Sequence, residues 1–379
     1  MITIKNINVQ THLNNSDRVN LGSFYTPNKY VKLVGNWLKI HGLTKNNTIL
    51  DSSCGYGAFF TLADEMPVNT FIGNDIDKDA LKNISEEFPF VNVYNINSLE
   101  NISRKMFNIE TQLIVVGNPP YNDVTSQINQ GLKNTKISMD GDVKTRDLGM
   151  SFLLSYNKLE AEYVAILHPL SYLIKRPNFS VSSKFFKNYT LLEHVVFNSQ
   201  EFANTSKLNG FPIIIALYKR TPNMGLCYDE VYNMKFKTVD GETFSLSNYD
   251  YVAEFIEKYP HKKRYDKEIL FYTLRDINAL KRSRTFIKDR CMNAVDVNPD
   301  KLGYYCYIDC FKRFADVPYY MGNFDIPFNK NAFGDYESAF IAVSKHFNPQ
   351  VFGNFPIKQE QLSIAKSYIS NVLTQSNRN

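Results

Sequence analysis

The stretch "LIVVGNPPYND", residues 113–123, decides how this chain is read. Leu113, Ile114, Val115 and Val116 form an unbroken apolar run, the pattern of a strand buried in a sheet. An amide, two prolines and a phenol follow. Consecutive prolines fix φ twice and bias Asn118 away from the helical region, so its amide and the Pro119 carbonyl are presented as rigid acceptors. At the carboxyl end of a strand in an open parallel sheet, such groups face the crevice where these folds bind ligands. Tyr121 adds a flat face on which a base can stack, an interaction worth about 1 to 3 kcal/mol.

The flanking sequence supplies the rest of that sheet. Short apolar runs at 48–50, 70–76, 91–96, 112–118, 163–169, 192–198 and 212–220 alternate with helical stretches, which is the pattern of an α/β domain with a mostly parallel sheet. Pro27 opens a helix in which Val31, Val34 and Leu38 recur at helical spacing, with Thr26 as its cap and Gly42 at its end. Another helix is expected over 151–163. After about Pro222 aromatic and polar residues mix irregularly, as in 302–314 and 317–328, so 1–222 and 223–379 read as two domains, the second of α+β type. There is no internal repeat, and 375–379 reads as a frayed tail.

Length agrees with two domains, since 379 residues exceeds the roughly 250 to 300 at which single cores stop growing. With 44% hydrophobic and 21% charged residues, no run of about 18 apolar residues and no charged-then-apolar amino terminus, a cytoplasmic protein without a membrane partner is expected. The five cysteines are an odd number, and Cys306 and Cys310 lack the second pair or nearby His that a zinc site needs. Free thiols and no metal are expected. The net charge of +5 establishes no polyanion partner, but residues 258–290 hold eleven Lys or Arg against four acids. Taken alone, that run is a solvated surface.

A second constellation lies upstream of the tetrapeptide. "TILDSSCGYGAFF" (48–60) is an apolar strand ending in Asp51, then a turn with Gly55 and Gly57, then an expected helix. The next strand ends in Asp75 and Asp77, roughly 20 residues on, where an acid can grip the hydroxyls of a ribose. Neither Gly-x-Gly-x-x-Gly nor Gly-Lys-Ser/Thr is present, so a nucleoside without phosphates fits better than a dinucleotide or a nucleoside triphosphate. Upstream, "GSFYTP" (22–27) is both a helix entry and a second approach to that site.

In that order, "GSFYTP", "ILDSSCGYGAF", "FIGNDID" and "VVGNPPY" resemble the S-adenosylmethionine-dependent amino-methyltransferases, and within them the DNA adenine-N6 enzymes of the gamma arrangement. The resemblance covers about the first 220 residues. It implies a Rossmann-like catalytic domain, S-adenosyl-L-methionine as cofactor, and double-stranded DNA as substrate, with a cognate restriction endonuclease as partner in a restriction-modification system. Position by position it implies that Thr26 and Pro27 hold the methionine end, that Asp51, Gly55 and Gly57 surround the cofactor, and that Asp75 binds the ribose with help from Asp77. Asn118 and the Pro119 carbonyl accept the two hydrogens of the target amino group, Pro120 stiffens the loop, and Tyr121 stacks on the base. The family's second aromatic falls on Phe202, with Phe211 as the alternative. Two departures stand out. The acid usual after the third strand is replaced by Asn97, whose carbonyl can accept the same bond, and Tyr56 occupies a position often held by a small residue.

A duplex substrate must have its base flipped out at a cost of a few kcal/mol. In that context the basic run becomes a phosphate-docking surface, with Lys281, Arg282 and Arg284 as contacts. Similar proteins with this tetrapeptide methylate RNA adenine or a protein glutamine amide, and a catalytically silent specificity module is a further alternative. Asp142-Val143-Lys144 is an isolated acid-x-Lys in a polar loop without a convincing set of metal carboxylates. His168 reads as a strand-end histidine bonded to neighbouring backbone.

Overall fold

The computed structural model describes residues 26–68, 70–121, 138–202, 210–265 and 268–374. Residues 22–25 of the first motif, Asn122 and Asp123, Lys267 and the 375–379 tail lie outside the described residues.

All seven apolar runs of the first part are strands: β1 (Asn47–Asp51), β2 (Thr70–Asn74), β3 (Val91–Tyr94), β4 (Gln112–Gly117), β5 (Tyr163–Pro169), β6 (Tyr189–Asn198) and β7 (Pro212–Arg220). They form one sheet in the order β3-β2-β1-β4-β5-β7-β6. The pairs β1–β2, β2–β3, β1–β4 and β4–β5 are parallel, whereas β7 runs antiparallel to both β5 and β6. The sheet is thus mostly parallel, as the alternation of runs requires. β1 and β4 are apolar on both faces because both are covered; Leu50, Leu113 and Val115 are completely buried.

Helix α1 (Asn28–Ile40) buries Val31, Val34 and Leu38, each worth roughly 1.5 to 3 kcal/mol of transfer free energy. Its cap position belongs to Pro27, in extended backbone, and not to Thr26; the proline carbonyl accepts from the Tyr30 and Val31 N–H groups. The region after the glycine turn is a 3-10 helix, Ala58–Glu65. Helix α2 (Lys78–Glu87) and helix α3 (Leu148–Lys158) both start on aspartate caps, Asp77 and Asp147. α3 begins earlier and stops earlier than the 151–163 expected, because Asp147 supplies the start and Glu160 takes a left-handed φ of 52°.

The chain divides into two compact units after Val231. The second unit mixes helices with small antiparallel sheets. Its helices α4 (Ile277–Arg282), α5 (Leu302–Phe314), α6 (Phe333–Phe347) and α7 (Gln359–Thr374) accompany sheets of two and three strands. The irregular 302–314 stretch is helical. It lacks a polar stripe because α5 is buried almost all round, from Tyr305 to Phe311. Asp309, fully buried within it, accepts from Thr285 Oγ1 (2.5 Å), Ser344 Oγ (2.9 Å), Asn348 Nδ2 (2.8 Å) and Arg313 Nε (3.0 Å). Such a charge is tolerated because it is paired and fully hydrogen-bonded. No disulfide links the five cysteines.

Candidate functional site at the sheet switch point

Strand order reverses between β1 and β4, so the segments leaving their carboxyl ends diverge and open a crevice. β1 ends there in Asp51, and β4 ends in Gly117, followed by the tetrapeptide. Asp51 is 3% exposed, and its Oδ1 accepts from the Ser53 N–H at 3.2 Å. A Cβ at Gly117 would stand 2.9 Å from that same oxygen, so the two strand ends touch through a glycine hydrogen. Burial pushes the Asp51 carboxyl up to about 8; the Ser53 N–H opposes the shift and the neighbouring Asp75 adds to it.

Gly55 and Gly57 turn the backbone with φ of +50° and +75°, conformations that suit glycine. Asp75 clamps this turn. Its Oδ2 accepts from Gly55 N–H (2.8 Å) and its Oδ1 from Asp77 N–H (2.9 Å), while burial raises its pKa against those bonds. The carboxylate's roughly four lone-pair sites leave capacity for a ligand beyond these bonds. Asp77 caps α2, its Oδ1 accepting from Asp79 and Ala80 N–H at 2.9 and 3.3 Å.

A polar knot that the sequence did not single out supports the turn from below. Asn74, 1% exposed, donates to Ile96 O (3.0 Å) and Ser98 Oγ (2.7 Å) and accepts from Ile96 N–H (3.1 Å). Ser98 Oγ in turn donates to Ser52 O at 2.8 Å, and Ser52 Oγ lies 3.2 Å from Tyr156 Oη on α3. A buried asparagine inside "GNDID" was the available signal, since such a group must find partners. Between Asp75 and Asp77, Ile76 is 66% exposed, an apolar surface beside a carboxylate.

Asn97 accepts from Leu99 N–H (3.1 Å) and donates to Ser138 O (2.7 Å). Its amide therefore helps fasten 138–140 to the segment after β3, together with Asp140, which accepts from Asn101 and Ile102 N–H at 2.8 and 3.0 Å. Lys158, hydrogen-bonded to Asp140, holds that carboxyl below its usual range. Lys158 also pairs with Asp142, so the acid-x-Lys at 142–144 is part of an ion pair.

Pro119 is buried, and Asn118, Pro120 and Tyr121 are half-buried. The Tyr121 ring stands edge-on to Phe211, with centroids 6.5 Å apart. Phe202 is 2% exposed and packs edge-on against Phe197 in the core. Of the two aromatics considered, Phe211 meets the tetrapeptide tyrosine directly, while Phe202 is a buried member of the same hydrophobic cluster. Thr26 is buried and Pro27 half-buried at the start of α1. His168 is 1% exposed, with Nδ1 on Pro169 O (2.9 Å) and Nε2 on Tyr218 Oη (2.8 Å); burial brings its pKa down to about 4.

In the second unit Lys281, Arg282 and Arg284 are exposed and form no ion pair among the described residues. Three other cations of the basic run are ion-paired: Arg264 and Arg290 on Asp296, and Lys258 on Asp325. Among the described residues no group of three or more His, Cys, Asp or Glu could hold a metal ion, and no helix is long and apolar enough to cross a membrane.

No family model matches the chain, and no curated protein matches it. Solved structures do. The methyltransferase subunit of a type I restriction-modification system from Streptococcus thermophilus is 17% identical, with 60% of this chain and 48% of that chain covered and a TM-score of 0.41. TrmN from Thermus thermophilus is 16% identical over 50% of this chain and 48% of that one, with a TM-score of 0.32. A TehB-like SAM-dependent methyltransferase from Corynebacterium glutamicum is 13% identical over 50% and 87%, with a TM-score of 0.31.

Proposed function

We propose that the chain is an S-adenosylmethionine-dependent methyltransferase that modifies the exocyclic amino group of adenine in duplex DNA. The observation that carries this reading is the junction of Asp51 with Gly117 at the switch point. It brings a buried carboxyl, whose pKa burial raises, against the base of an Asn-Pro-Pro-Tyr loop.

The residues fit the cofactor. A carboxyl whose pKa is raised by burial gains most from a cationic neighbour, which the ammonium and sulfonium of S-adenosylmethionine would supply. The free lone pairs of Asp75 suit two ribose hydroxyls, exposed Ile76 suits the face of a purine, and the turn through Gly55 and Gly57 allows close approach of backbone. Thr26 and Pro27 belong to the methionine side. Asn97 is a weaker adenine contact than its residue type suggested, because its amide already serves Ser138 and Leu99.

When bound, the cofactor supplies a methyl group on a cationic sulfur. The chain's own residues make the acceptor competent. Adenine's amino nitrogen is a poor nucleophile because its lone pair is delocalised into the ring. Asn118 Oδ1 and the Pro119 carbonyl accept its two hydrogens, favouring the pyramidal geometry in which that pair can attack, so the gain falls in the transition state. No strong base is required, since the methylated nitrogen is cationic and loses its proton readily to an amide oxygen or water. Tyr121 offers its face to the everted base with Phe211 packed edge-on against it, and alignment supplies the rest of the acceleration.

Duplex DNA is preferred because the second unit offers unpaired Lys281, Arg282 and Arg284 for phosphates, which can offset the cost of flipping. The test is methyl transfer from labelled cofactor to duplex DNA, RNA and protein in parallel, followed by nucleoside analysis. N6-methyladenine in DNA is expected; label confined to RNA or protein refutes the substrate.

A further inference from the structure

We propose that Asp147 and Tyr172 are positioning residues for Tyr121, an inference that rests on the function proposed above. Three elements converge at Gly149 in the first turn of α3. A Cβ built there would stand 3.1 Å from Tyr121 Cβ and 2.5 Å from Tyr172 Oη, so the tetrapeptide tyrosine and Tyr172 both lie against this glycine. Asp147 fastens the arrangement. Its Oδ1 accepts from Gly149 N–H (2.9 Å) and Met150 N–H (3.4 Å), and also from the Tyr172 hydroxyl.

Tyr172 is itself held from the sheet. Its ring stacks on His168 with centroids 5.4 Å apart and planes inclined by 7°, and His168 is tied to Tyr218 and to the Pro169 carbonyl. Tyr172, His168 and Tyr218 are each 1% exposed or less, so the chain of contacts is packed along its length. A rigid support thus runs from β5 and β7 to the tetrapeptide.

Tyr121 needs such a support. Its hydroxyl is buried and has no hydrogen-bond partner among the described residues, so packing alone sets the ring's orientation. The surface it packs on includes Gly149 and Tyr172, held by the Asp147–Tyr172 bond, and Phe211, which meets the ring edge-on. Small displacements of a stacking ring misalign the base that rests on it.

The test separates support from capping. Tyr172→Phe keeps the stack on His168 and removes the hydroxyl. Asp147→Asn keeps a good helix cap and removes the charged acceptor. Full-length protein carrying 3-fluorotyrosine is examined by fluorine NMR, with the Tyr121 resonance assigned through Tyr121→Phe. Both variants are expected to shift or broaden that resonance, to retain cofactor affinity, and to lower kcat on duplex DNA by about tenfold with little change in KM. An unmoved Tyr121 resonance in both variants overturns the proposal, as does an unchanged kcat in both. If the resonance moves while the wild-type protein methylates no DNA, RNA or protein, the support of Tyr121 stands and the methylation reading falls.

Discussion

Replacing Asp51 by asparagine tests the central electrostatic claim without any substrate. The carboxyl is raised from 3.8 to about 8 in the folded protein, chiefly by burial. A group whose folded pKa is raised contributes stability that is fully present below its unfolded pKa and is lost as pH rises through the folded value. Wild-type protein without cofactor therefore loses stability through Asp51 between about pH 4 and pH 8, while the asparagine variant does not. At 1.36 kcal/mol per unit the full shift corresponds to ~6 kcal/mol, and relaxation with water entry around the charge reduces this to about 2 kcal/mol. Urea unfolding of both proteins near pH 4.5 and pH 8.5 gives the double difference, in which all other titrations cancel. Asp51→Asn is expected to gain about 2 kcal/mol on wild type between the two pH values. A difference that stays constant with pH would show that Asp51 is an ordinary carboxylate, with no need of a cation beside it.

Cofactor binding should release a proton at neutral pH if it discharges the raised Asp51, so its calorimetric enthalpy should vary with the ionisation enthalpy of the buffer; no variation counts against that contact. Asn118→Ala should lower turnover by about 10²-fold, the scale of removing one preorganised polar contact, with cofactor affinity retained. Near-wild-type turnover on oligonucleotides refutes the acceptor role. Phe202→Ala should cost about 3 to 5 kcal/mol of stability as a core cavity, whereas Phe211→Ala should weaken DNA binding by about 1 to 3 kcal/mol and leave stability nearly unchanged. The reverse pattern would return the stacking role to Phe202. Neutralising Lys281, Arg282 and Arg284 together should reduce the slope of log affinity against log salt by about 3, and an unchanged slope would remove them from the DNA contacts.

The strands were legible because each is a short apolar run bounded by turn residues, and two of them, 163–169 and 212–220, have the bounds read from sequence. The ends of those strands carried the candidate site, so Asp51, Asp75 and Asn118 could be picked out without coordinates. What escaped was settled by partners remote in sequence. Phe202 and Phe211 are alike as residue types, and only packing against Phe197 or Tyr121 separates them. Asn97 looked available because Ser138 lies far along the chain. Asp77 carried a second signal: its place ahead of a helical stretch marked it as a cap, which the structure shows it to be. In the second unit, 302–314 showed no helical period because α5 has almost no wet face.

The placement of β7 between β5 and β6 has a consequence for synthesis. Ile213, Ile214, Ile215, Ala216 and Leu217 are completely buried and fill the gap between two strands made earlier. A nascent chain that has not yet extruded residue 220 from the ribosome leaves β6 with no neighbour and β5 with an open edge. The seven-stranded sheet is complete only when its last strand is in place between the two made before it.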